Sequence, residues 1–460
     1  SSSFVDWRAM QDRDKLILAA AAGVVAGFLA SRLSSSSSSR VAVASTIKAS
    51  VGAAARSGVG QQLPTVARRV HGSCLYLDYN ATTPIFPEVT DAMLPFTGDH
   101  FGNPSSGHAF GRPCKEAVVL ARQQLAALLQ CHPDEIIFTS CGSESDNHAI
   151  RGAVEIARTR LPRGLVPHVI TSNIEHPAVE ECLRAMQDRG EIDVTPLQAD
   201  SEGCVSASQV QFAITDATVL VTIMHSNNEI GSLQPIGEIA DICAKKKILL
   251  HTDAAQSVGK VPVRIPEMGA DLVTIVGHKF GAPKGIACLF VKRGIRLPNF
   301  LFGGGQEQGR RAGTENVLLI AGIGKAAEVV AGELDSLAEH MWSMRSRLLE
   351  RLRTAFGSRV SVNGPQDRSR LLPNTLSVSI EGVKAGELLA ALGDKVAASA
   401  GAACHSGGAT VSAVLRAIQL PSNLAVGTLR LSVGRHTTGD EIDQCADAII
   451  DEAKRQLGQR

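Results

Sequence analysis

An acidic residue and a lysine follow two apolar runs in the middle of the chain. Asp253 lies in the segment His251–Gln256 (HTDAAQ), and Lys279 ends the segment Val276–Lys279 (VGHK). If both runs are strands of one sheet, the two side chains can face one pocket, where a lysine can lose its proton and form a Schiff base. A carboxylate can hold a pyridine nitrogen protonated and so make a cofactor ring an electron sink. A structural aspartate and a surface lysine are the alternatives for either residue taken alone.

Small polar residues in the segment Thr139–Asn147 (TSCGSESDN) predict an anion site. The segment follows another apolar run and opens a helical pattern, so free backbone N–H groups and the helix dipole would favour a phosphate there. Gly142 allows a close approach, and Ser143 offers both an N–H and a hydroxyl. A plain helix cap is the alternative.

Two further segments are rich in small residues. Gly303–Asn316 (GGGQEQGRRAGTEN) predicts a tight backbone beside a ligand or a partner subunit, with a flexible surface loop as the alternative. Ser399–Gly408 (SAGAACHSGG) predicts an exposed, mobile loop around Cys404, whose thiolate His405 would favour. A buried cysteine or an inert surface thiol are the alternatives here.

The elements that must position these residues alternate between strands and helices. Short apolar runs predict buried strands: Ile136–Thr139, His168–Thr171, Val219–Ile223, Ile248–His251, Leu272–Val276 and Ala287–Val291. Helical patterns such as Pro113–Leu129 and Pro235–Lys247 lie between them. This alternation predicts an α/β domain with a mostly parallel sheet, in which ligands bind at the carboxyl ends of the strands.

The C-terminal part of the chain has a different pattern, which predicts a smaller α+β domain. Its elements are a long helix at Gly332–Phe356, strands at Leu376–Ile380 and Leu429–Val433, and helices at Gly386–Leu392 and Glu441–Gln456. We therefore predict a large domain over residues 75–335, with an N-terminal arm at 75–91, and a small domain over 336–460 that contains Cys404.

Composition limits the class of partner. Lys plus Arg total 46 and Asp plus Glu total 45, so no basic excess predicts nucleic-acid binding. The 10 cysteines are scattered without zinc-site spacing, which predicts reduced thiols in an intracellular protein and no metal site. A small molecule or another protein surface is the expected partner.

Residues 1–70 are set apart by a composition rich in Ser, Ala and Val. The apolar run Leu16–Ala30 is shorter than the about 20 residues that span a bilayer. A targeting segment, a weak membrane anchor and a disordered tail are all compatible with this composition. The acidic residues Asp6, Asp12 and Asp14 argue against an organelle transit peptide. A cytoplasmic location and an organellar location both stay open.

The order of these motifs resembles the cysteine desulfurase family of class-V, fold-type-I pyridoxal 5′-phosphate (PLP) enzymes, from about residue 75 to 457. The matching segments are Tyr76–Pro84, Phe101–Ser106, Ser140–Asn147, Ile174–His176, His225–Gly231, His251–Gln256, Gly277–Lys279, Arg310–Asn316 and Leu429–Arg435. Within the family, the segments Gly303–Gln306, Gly401–Ser406 and Leu429–Arg435 are most similar to selenocysteine lyase.

The resemblance implies a seven-stranded large sheet domain, a smaller α+β domain and a homodimer. It implies removal of sulfur or selenium from L-cysteine or L-selenocysteine, which gives L-alanine and an enzyme persulfide or selenide, with a possible acceptor protein. A different class-V reaction such as transamination is one rival interpretation, and Cys404 speaks against it. A scaffold that donates sulfur only together with a partner is the other.

The resemblance also implies a role for individual residues. Lys279 forms the Schiff base with PLP and later moves the Cα proton, while Asp253 pairs with the pyridinium nitrogen. His176, a further catalytic residue, stacks on the ring and acts in acid–base steps, and Cys404 attacks the substrate's sulfur. The residues implied to surround cofactor and substrate are Gln256 and Asn228 at the ring oxygen and substrate side, Gly142, Ser143 and His278 at the phosphate, Thr314 at the phosphate from the other subunit, and Arg430 and Asn80 at the substrate.

Five positions depart from the family's usual residues. Val276 replaces a common serine that binds phosphate, and Cys141 replaces a glycine. Gly281-Ala282 replaces a Tyr-Gly pair. Pro177 follows the stacking His176, where relatives have polar residues, so substrate preference is the property most affected.

Overall fold

A central sheet organises the computed structural model, which describes residues 74–405 and 408–458, with the backbone alone at 402–405 and 408–410. The strands in chain order are β1 Leu75–Tyr76, β2 Ile136–Thr139, β3 His168–Ser172, β4 Asp193–Leu197, β5 Thr218–Thr222, β6 Leu249–Asp253, β7 Leu272–Val276, β8 Ala287–Val291, β9 Val360–Val362, β10 Thr375–Ile380, β11 Val396–Ala397, β12 Ser399–Ala400, β13 Ala402–His405, β14 Gly408–Val411 and β15 Thr428–Ser432.

Helices cover the sheets and connect their strands. The longer helices are α1 Pro87–Met93, α2 Gly111–Leu129, α3 Gly142–Arg158, α4 Pro177–Asp188, α5 Ala207–Ala213, α6 Ile236–Lys246, α7 Val317–Phe356, α8 Ala385–Leu392 and α9 Gly439–Gln456. Short helices lie at Ile265–Met268, Gln306–Gly309, Ala413–Ala417 and Ser422–Ala425. Single 3-10 turns lie at Leu94–Thr97, Pro133–Glu135, Gly277–Lys279, Gly357–Arg359 and Arg368–Arg370.

The central sheet has seven strands in the order β2-β8-β7-β6-β5-β3-β4. Every strand is parallel to the others except β8, which runs against its neighbours β2 and β7. Near-continuous apolar runs form these strands because helices bury both faces of a parallel sheet. This confirms the predicted α/β fold with a mostly parallel seven-stranded sheet, and it places the carboxyl ends of six strands along one edge.

The predicted strands match the observed ones within two residues at each end, and β4 is the strand of the central sheet that sequence reasoning missed. Its sequence, DVTPL, contains Pro196 and is largely solvent-accessible. It lies at the edge of the sheet beside β3, where a proline costs no ladder hydrogen bond. Its weak apolar pattern therefore gave no strand signal.

A second, antiparallel sheet lies in the C-terminal part of the chain, in the order β12-β15-β10-β9. Helix α7 begins at Val317, well before the predicted start at Gly332, because its first turns are apolar and buried and show no amphipathic period. The side chain of Asn316 caps it by accepting from the Leu319 N–H. The predicted domain division at 335/336 falls inside this helix and stays a prediction.

The segment around Cys404, predicted as an exposed and mobile loop, has the backbone of a short hairpin. Strands β13 and β14 pair antiparallel, with Cys404 opposite Ala409. Small side chains let the two backbones exchange hydrogen bonds although the segment has little apolar content to bury. Gly401 anchors the base of this hairpin: its N–H donates to the Thr428 oxygen at 2.8 Å, and its oxygen accepts from the Ser412 N–H at 2.9 Å.

The predictions for residues 1–70, including the apolar run Leu16–Ala30, lie outside the described residues. Within the part of the chain that the structure describes, every helix is too short or too polar to cross a lipid bilayer. The compartment stays a prediction.

Candidate active site

A cavity of about 380 Å³ opens at the carboxyl edge of the central sheet. Its walls come from the segments that follow β2, β3, β5, β6 and β7, as the strand-end rule for α/β sheets predicts. The predicted site residues that line it are Asn80, Gly142, Ser143, His176, Asn228, Asp253, Gln256, His278, Lys279 and Arg430. Thr314 lines a different surface cavity with Ser140 and Gly285. The side chain of Cys404 lies outside the described residues.

Lys279 enters the cavity from the 3-10 turn that directly follows β7. Its Nζ donates to the backbone oxygens of Asn80 at 2.7 Å and Ala81 at 3.0 Å. Burial, together with the nearby Arg430 charge, lowers the pKa of Lys279 to about 8. A pKa of about 8 brings the unprotonated amine, which Schiff-base formation requires, much closer to neutral pH than the usual lysine pKa does.

Asp253 ends β6, the strand beside β7, and lines the same cavity; one of its carboxylate oxygens accepts from the Ala255 N–H at 2.8 Å. Burial raises the pKa of Asp253, while His176 and Lys279 act in the other direction. A buried carboxylate that lines the cavity is a ready partner for a bound cation.

Two more acids lie close to Asp253 and are absent from the residues that the sequence predicts for the site. Burial is the main cause that raises the pKa of Asp146 well above its usual value, and the Asp253 charge adds to it. Burial likewise raises the pKa of Glu175 to about 8. Because neighbouring buried carboxyls cannot all ionise, we assign the charge to Asp253 and the protons to Asp146 and Glu175.

His176 caps helix α4, where its Nδ1 accepts from the Ala178 N–H at 3.1 Å. Partial burial of the ring lowers the pKa of His176. A neutral imidazole whose Nδ1 accepts a hydrogen bond has its proton on Nε2. The cap therefore sets the tautomer of a ring that lines the cavity.

The amino end of α3, where the sequence predicts an anion site, opens onto the cavity. Gly142 and Ser143 begin this helix and line the cavity. A Cβ on residue 142 would lie only 2.7 Å from Cγ2 of Val276, so glycine is needed where the valine replaces the usual serine. Burial and the Lys279 charge lower the pKa of His278 to about 4, so His278 is a neutral hydrogen-bonding group in this cavity and not a cation.

Arg430 projects from β15 and is held by residues that sequence reasoning did not select. Its Nη2 donates to Asp78 Oδ1 and to Ser399 Oγ, both at 2.8 Å. Its Nη1 makes a long contact of 3.4 Å with the Asn228 backbone oxygen, and its buried Nε has no partner among the described residues. One edge of the guanidinium is thus fixed while N–H groups remain for a carboxylate, which suits a planar donor.

Asn80 lies on the cavity wall, but its amide is fully engaged within the protein. Its Nδ2 donates to Thr375 Oγ1 at 2.8 Å and to the Asn228 backbone oxygen at 3.1 Å. Its Oδ1 accepts from Asn374 Nδ2 at 2.9 Å and from Lys260 Nζ at 3.2 Å. An amide has two donor hydrogens and two acceptor sites. The structure therefore favours a supporting role for Asn80 over the predicted substrate contact.

These residues fit PLP by their chemistry. Lys279 would hold its aldehyde carbon, Asp253 its ring nitrogen, and the amino end of α3 its phosphate. The 380 Å³ of the cavity lies within the range of about 300–1,000 Å³ found for small-molecule sites. The placement of Thr314 agrees with its predicted role only if a second copy supplies it, so that role stays a prediction.

Comparisons with known proteins agree with this site. The family model described as aminotransferase class-V matches residues 75–445. A protein named cysteine desulfurase IscS from Clostridium botulinum is 42% identical over 376 residues, which cover 82% of this chain and 93% of the relative.

Two solved structures share the fold over most of the chain. A structure titled "NIFS-LIKE PROTEIN" has a TM-score of 0.75 and 32% identity, and covers 82% of this chain and 98% of its own. A structure titled "SspA in complex with cysteine" has a TM-score of 0.68 and 34% identity, with coverages of 79% and 100%. The chain therefore belongs to the class-V aminotransferase family of PLP-dependent enzymes.

Proposed function

We propose that this protein uses PLP as a cofactor to remove sulfur from L-cysteine and selenium from L-selenocysteine. The proposal rests on one observation: Lys279, Asp253 and Arg430 line the same cavity. In addition, strand β12, which leads to Cys404, pairs with β15, the strand of Arg430. Relatives named cysteine desulfurase, and a related structure with cysteine, support the substrate.

The amino acid would bind through its carboxylate at Arg430. PLP supplies an electron sink that makes the Cα proton of a bound amino acid acidic. The amine of Lys279, with its pKa lowered to about 8, is placed to take that proton and to return one later. Asp253 would carry the negative charge that the ring nitrogen needs, and Asp146 and Glu175 would stay protonated beside Asp253.

Cys404 would accept the sulfur. Strand β12 pairs with β15, with Ser399 opposite Arg430, and the hairpin of Cys404 follows directly after Gly401. A bond forms between Cys404 Sγ and the substrate sulfur while the substrate's Cβ–S bond breaks. The thiol and cysteine together become a persulfide and L-alanine, so the atoms and electrons balance without an external oxidant.

A second copy of the chain would complete the site. Thr314 lines a cavity that does not include Lys279. The Phe101 and Phe110 side chains are 72% and 60% exposed, and their ring centroids lie 5.4 Å apart, so they form an exposed apolar pair. The same copy would cover this pair and bring Thr314 to the phosphate. An acceptor protein for the sulfur is part of the proposal.

The similarity of the segment Gly401–Ser406 to selenocysteine lyase supports the second substrate. Selenium is more polarisable than sulfur and its selenol is more acidic, so release of selenium depends less on an attacking thiol. We therefore expect Cys404 to set the rate of sulfur removal relative to the rate of selenium removal.

The purified chain loaded with PLP tests the proposed function. We expect L-alanine and a persulfide in equal amounts in the first turnover with L-cysteine, and a molar mass in solution of twice the chain. Mass spectrometry locates the persulfide. Formation of pyruvate or transfer of the amino group instead of alanine would support the rival class-V reaction, and turnover only with an added acceptor would support the scaffold.

Asp253→Asn is expected to reduce kcat at least about 100-fold, or about 2.7 kcal/mol in the barrier, because a neutral amide cannot hold the ring nitrogen protonated. The fold and part of the PLP binding should remain. Asp193→Asn is the matched control, since Asp193 is an exposed aspartate of β4. A loss smaller than about tenfold in kcat would contradict the role of Asp253.

A further inference from the structure

Lys260 is a buried lysine that the chemistry described above does not use. It lies in the turn after β6, four residues beyond Gln256, and is 4% exposed. Burial, with the nearby Lys279 and Arg430 charges, lowers the pKa of Lys260 well below its usual range, and no described carboxylate pairs with it. A buried amine without an ionic partner is costly, so an apolar residue would serve better if packing were its only role.

The hydrogen-bond partners of Lys260 are two amide oxygens of the cavity wall. Its Nζ donates to Gln256 Oε1 at 2.6 Å and to Asn80 Oδ1 at 3.2 Å. Gln and Asn side chains can rotate by half a turn, which exchanges their oxygen and nitrogen. A donor fixed beneath both amides selects the orientation in which each oxygen faces Lys260.

For Gln256 this orientation has a direct consequence in the cavity. Its Nε2 points away from Lys260 and donates one hydrogen to the Asn80 backbone oxygen at 2.9 Å. The second N–H remains on a residue that lines the cavity. In the opposite orientation the amide oxygen would face the Asn80 backbone oxygen, an acceptor against an acceptor, and the hydrogen bond from Lys260 Nζ to Gln256 Oε1 would be lost.

We propose that Lys260 is a positioning residue that keeps the Gln256 amide turned as a hydrogen-bond donor toward a ring oxygen of the bound cofactor. The inference rests on the proposed function, because it needs PLP in the cavity. The lysine acts through Gln256 and touches neither cofactor nor substrate.

Lys260→Met tests the proposal because methionine keeps the apolar stem and removes the donors. We expect the Kd for PLP to rise about tenfold, which corresponds to about 1.4 kcal/mol, and the visible band of the loaded protein to shift. The Tm of the cofactor-free protein should stay the same or rise, since a buried polar group is removed. A merely structural lysine gives the opposite pattern, with a lower Tm and an unchanged Kd for the folded fraction.

A double-mutant cycle with Gln256→Ala separates a direct effect from one through Gln256. In the Gln256→Ala background, Lys260→Met should change the Kd less than about twofold. Lys246→Met, at an exposed lysine of α6, is the matched control. Additive effects of the two substitutions, or a Lys260→Met protein with wild-type Kd and spectrum, would overturn the proposal.

Three further outcomes are informative. If Lys260→Met does not fold, Lys260→Gln replaces it, because glutamine retains a donor on a shorter stem. We expect Lys260→Gln to fold and to bind PLP with a Kd between those of wild type and Gln256→Ala. A Kd higher than that of Gln256→Ala overturns the proposal. If the wild-type protein itself does not bind PLP, the proposed function fails. If it binds and Lys260→Met binds equally well, the role of Lys260 alone fails.

Discussion

Replacement of Lys279 by alanine should abolish turnover of L-cysteine and remove the visible band that borohydride eliminates. The Lys279 amine is held in the cavity by the Asn80 and Ala81 backbone oxygens, and both the covalent link to PLP and the movement of the Cα proton depend on it. We expect a loss of at least about 10³-fold in kcat, or about 4 kcal/mol in the barrier. Lys284→Ala is the matched control, because Lys284 is exposed five positions further on.

The lowered pKa of Lys279 can also be tested in the cofactor-free protein. Burial disfavours the ammonium, so the free amine should prevail above pH of about 8, the value to which the pKa of Lys279 is lowered. Acylation of Lys279 in cofactor-free protein should therefore reach half its maximal rate near that pH. A Lys279→Ala protein that still forms a borohydride-reducible band, or a Lys279 acylation profile without a midpoint near that pH, would contradict this account.

The sheet and most of the site are predictable from the sequence because each depends on local pattern. Buried parallel strands have apolar runs that end sharply, so the sequence alone places Asp253 and Lys279 at strand ends. Asp146 and Glu175 lie inside segments that resemble the family, but the sequence does not single them out. Their signal is an acid beside a strand end, which becomes meaningful only when burial shows that neighbouring carboxyls share one site.

The residues that sequence reasoning misses or misassigns are those whose partners are distant along the chain. Asp78 meets Arg430 across the pairing of the N-terminal arm with the C-terminal sheet, a contact that no local spacing reveals. The motif of Asn80 predicts a substrate contact, yet hydrogen bonds within the protein, to Lys260 among others, use up its amide. Lys260 differs from a surface lysine only by its burial.

The network around Asn80 also explains how a flexible lysine is given a fixed position. The Asn80 backbone oxygen accepts from Lys279 Nζ at 2.7 Å and from Gln256 Nε2 at 2.9 Å. The side chain of Asn80 is in turn bound to β10 through Thr375. The reactive amine is thus positioned by the smaller sheet as well as by the strand that precedes it.

Cys404→Ala should abolish desulfuration of L-cysteine while selenium release from L-selenocysteine continues at a measurable rate. Sulfur leaves carbon poorly unless a thiolate accepts it, whereas selenium depends less on such an attack. The hairpin of β13 and β14 is anchored at Gly401 and Ser412 beside the strand of Arg430, so it can present Cys404 to a substrate whose carboxylate is held there. Production of alanine from each substrate measures the two rates on the same preparation.

Two measurements make the role of Cys404 falsifiable. Alkylation of the wild-type protein should modify Cys404 faster than its other nine cysteines, 10 in all, and should reproduce the effect of Cys404→Ala. Cys131→Ala, at a half-buried cysteine after α2, is the control and should turn over L-cysteine normally. A persulfide found on Cys141, which lines the cavity of Lys279, or near-normal desulfuration by Cys404→Ala, would move the sulfur acceptor elsewhere. An equal loss of activity on both substrates would mean that selenium release also needs the Cys404 thiol, as an acceptor or as a proton donor. That result would favour an ordinary cysteine desulfurase over a selenocysteine lyase.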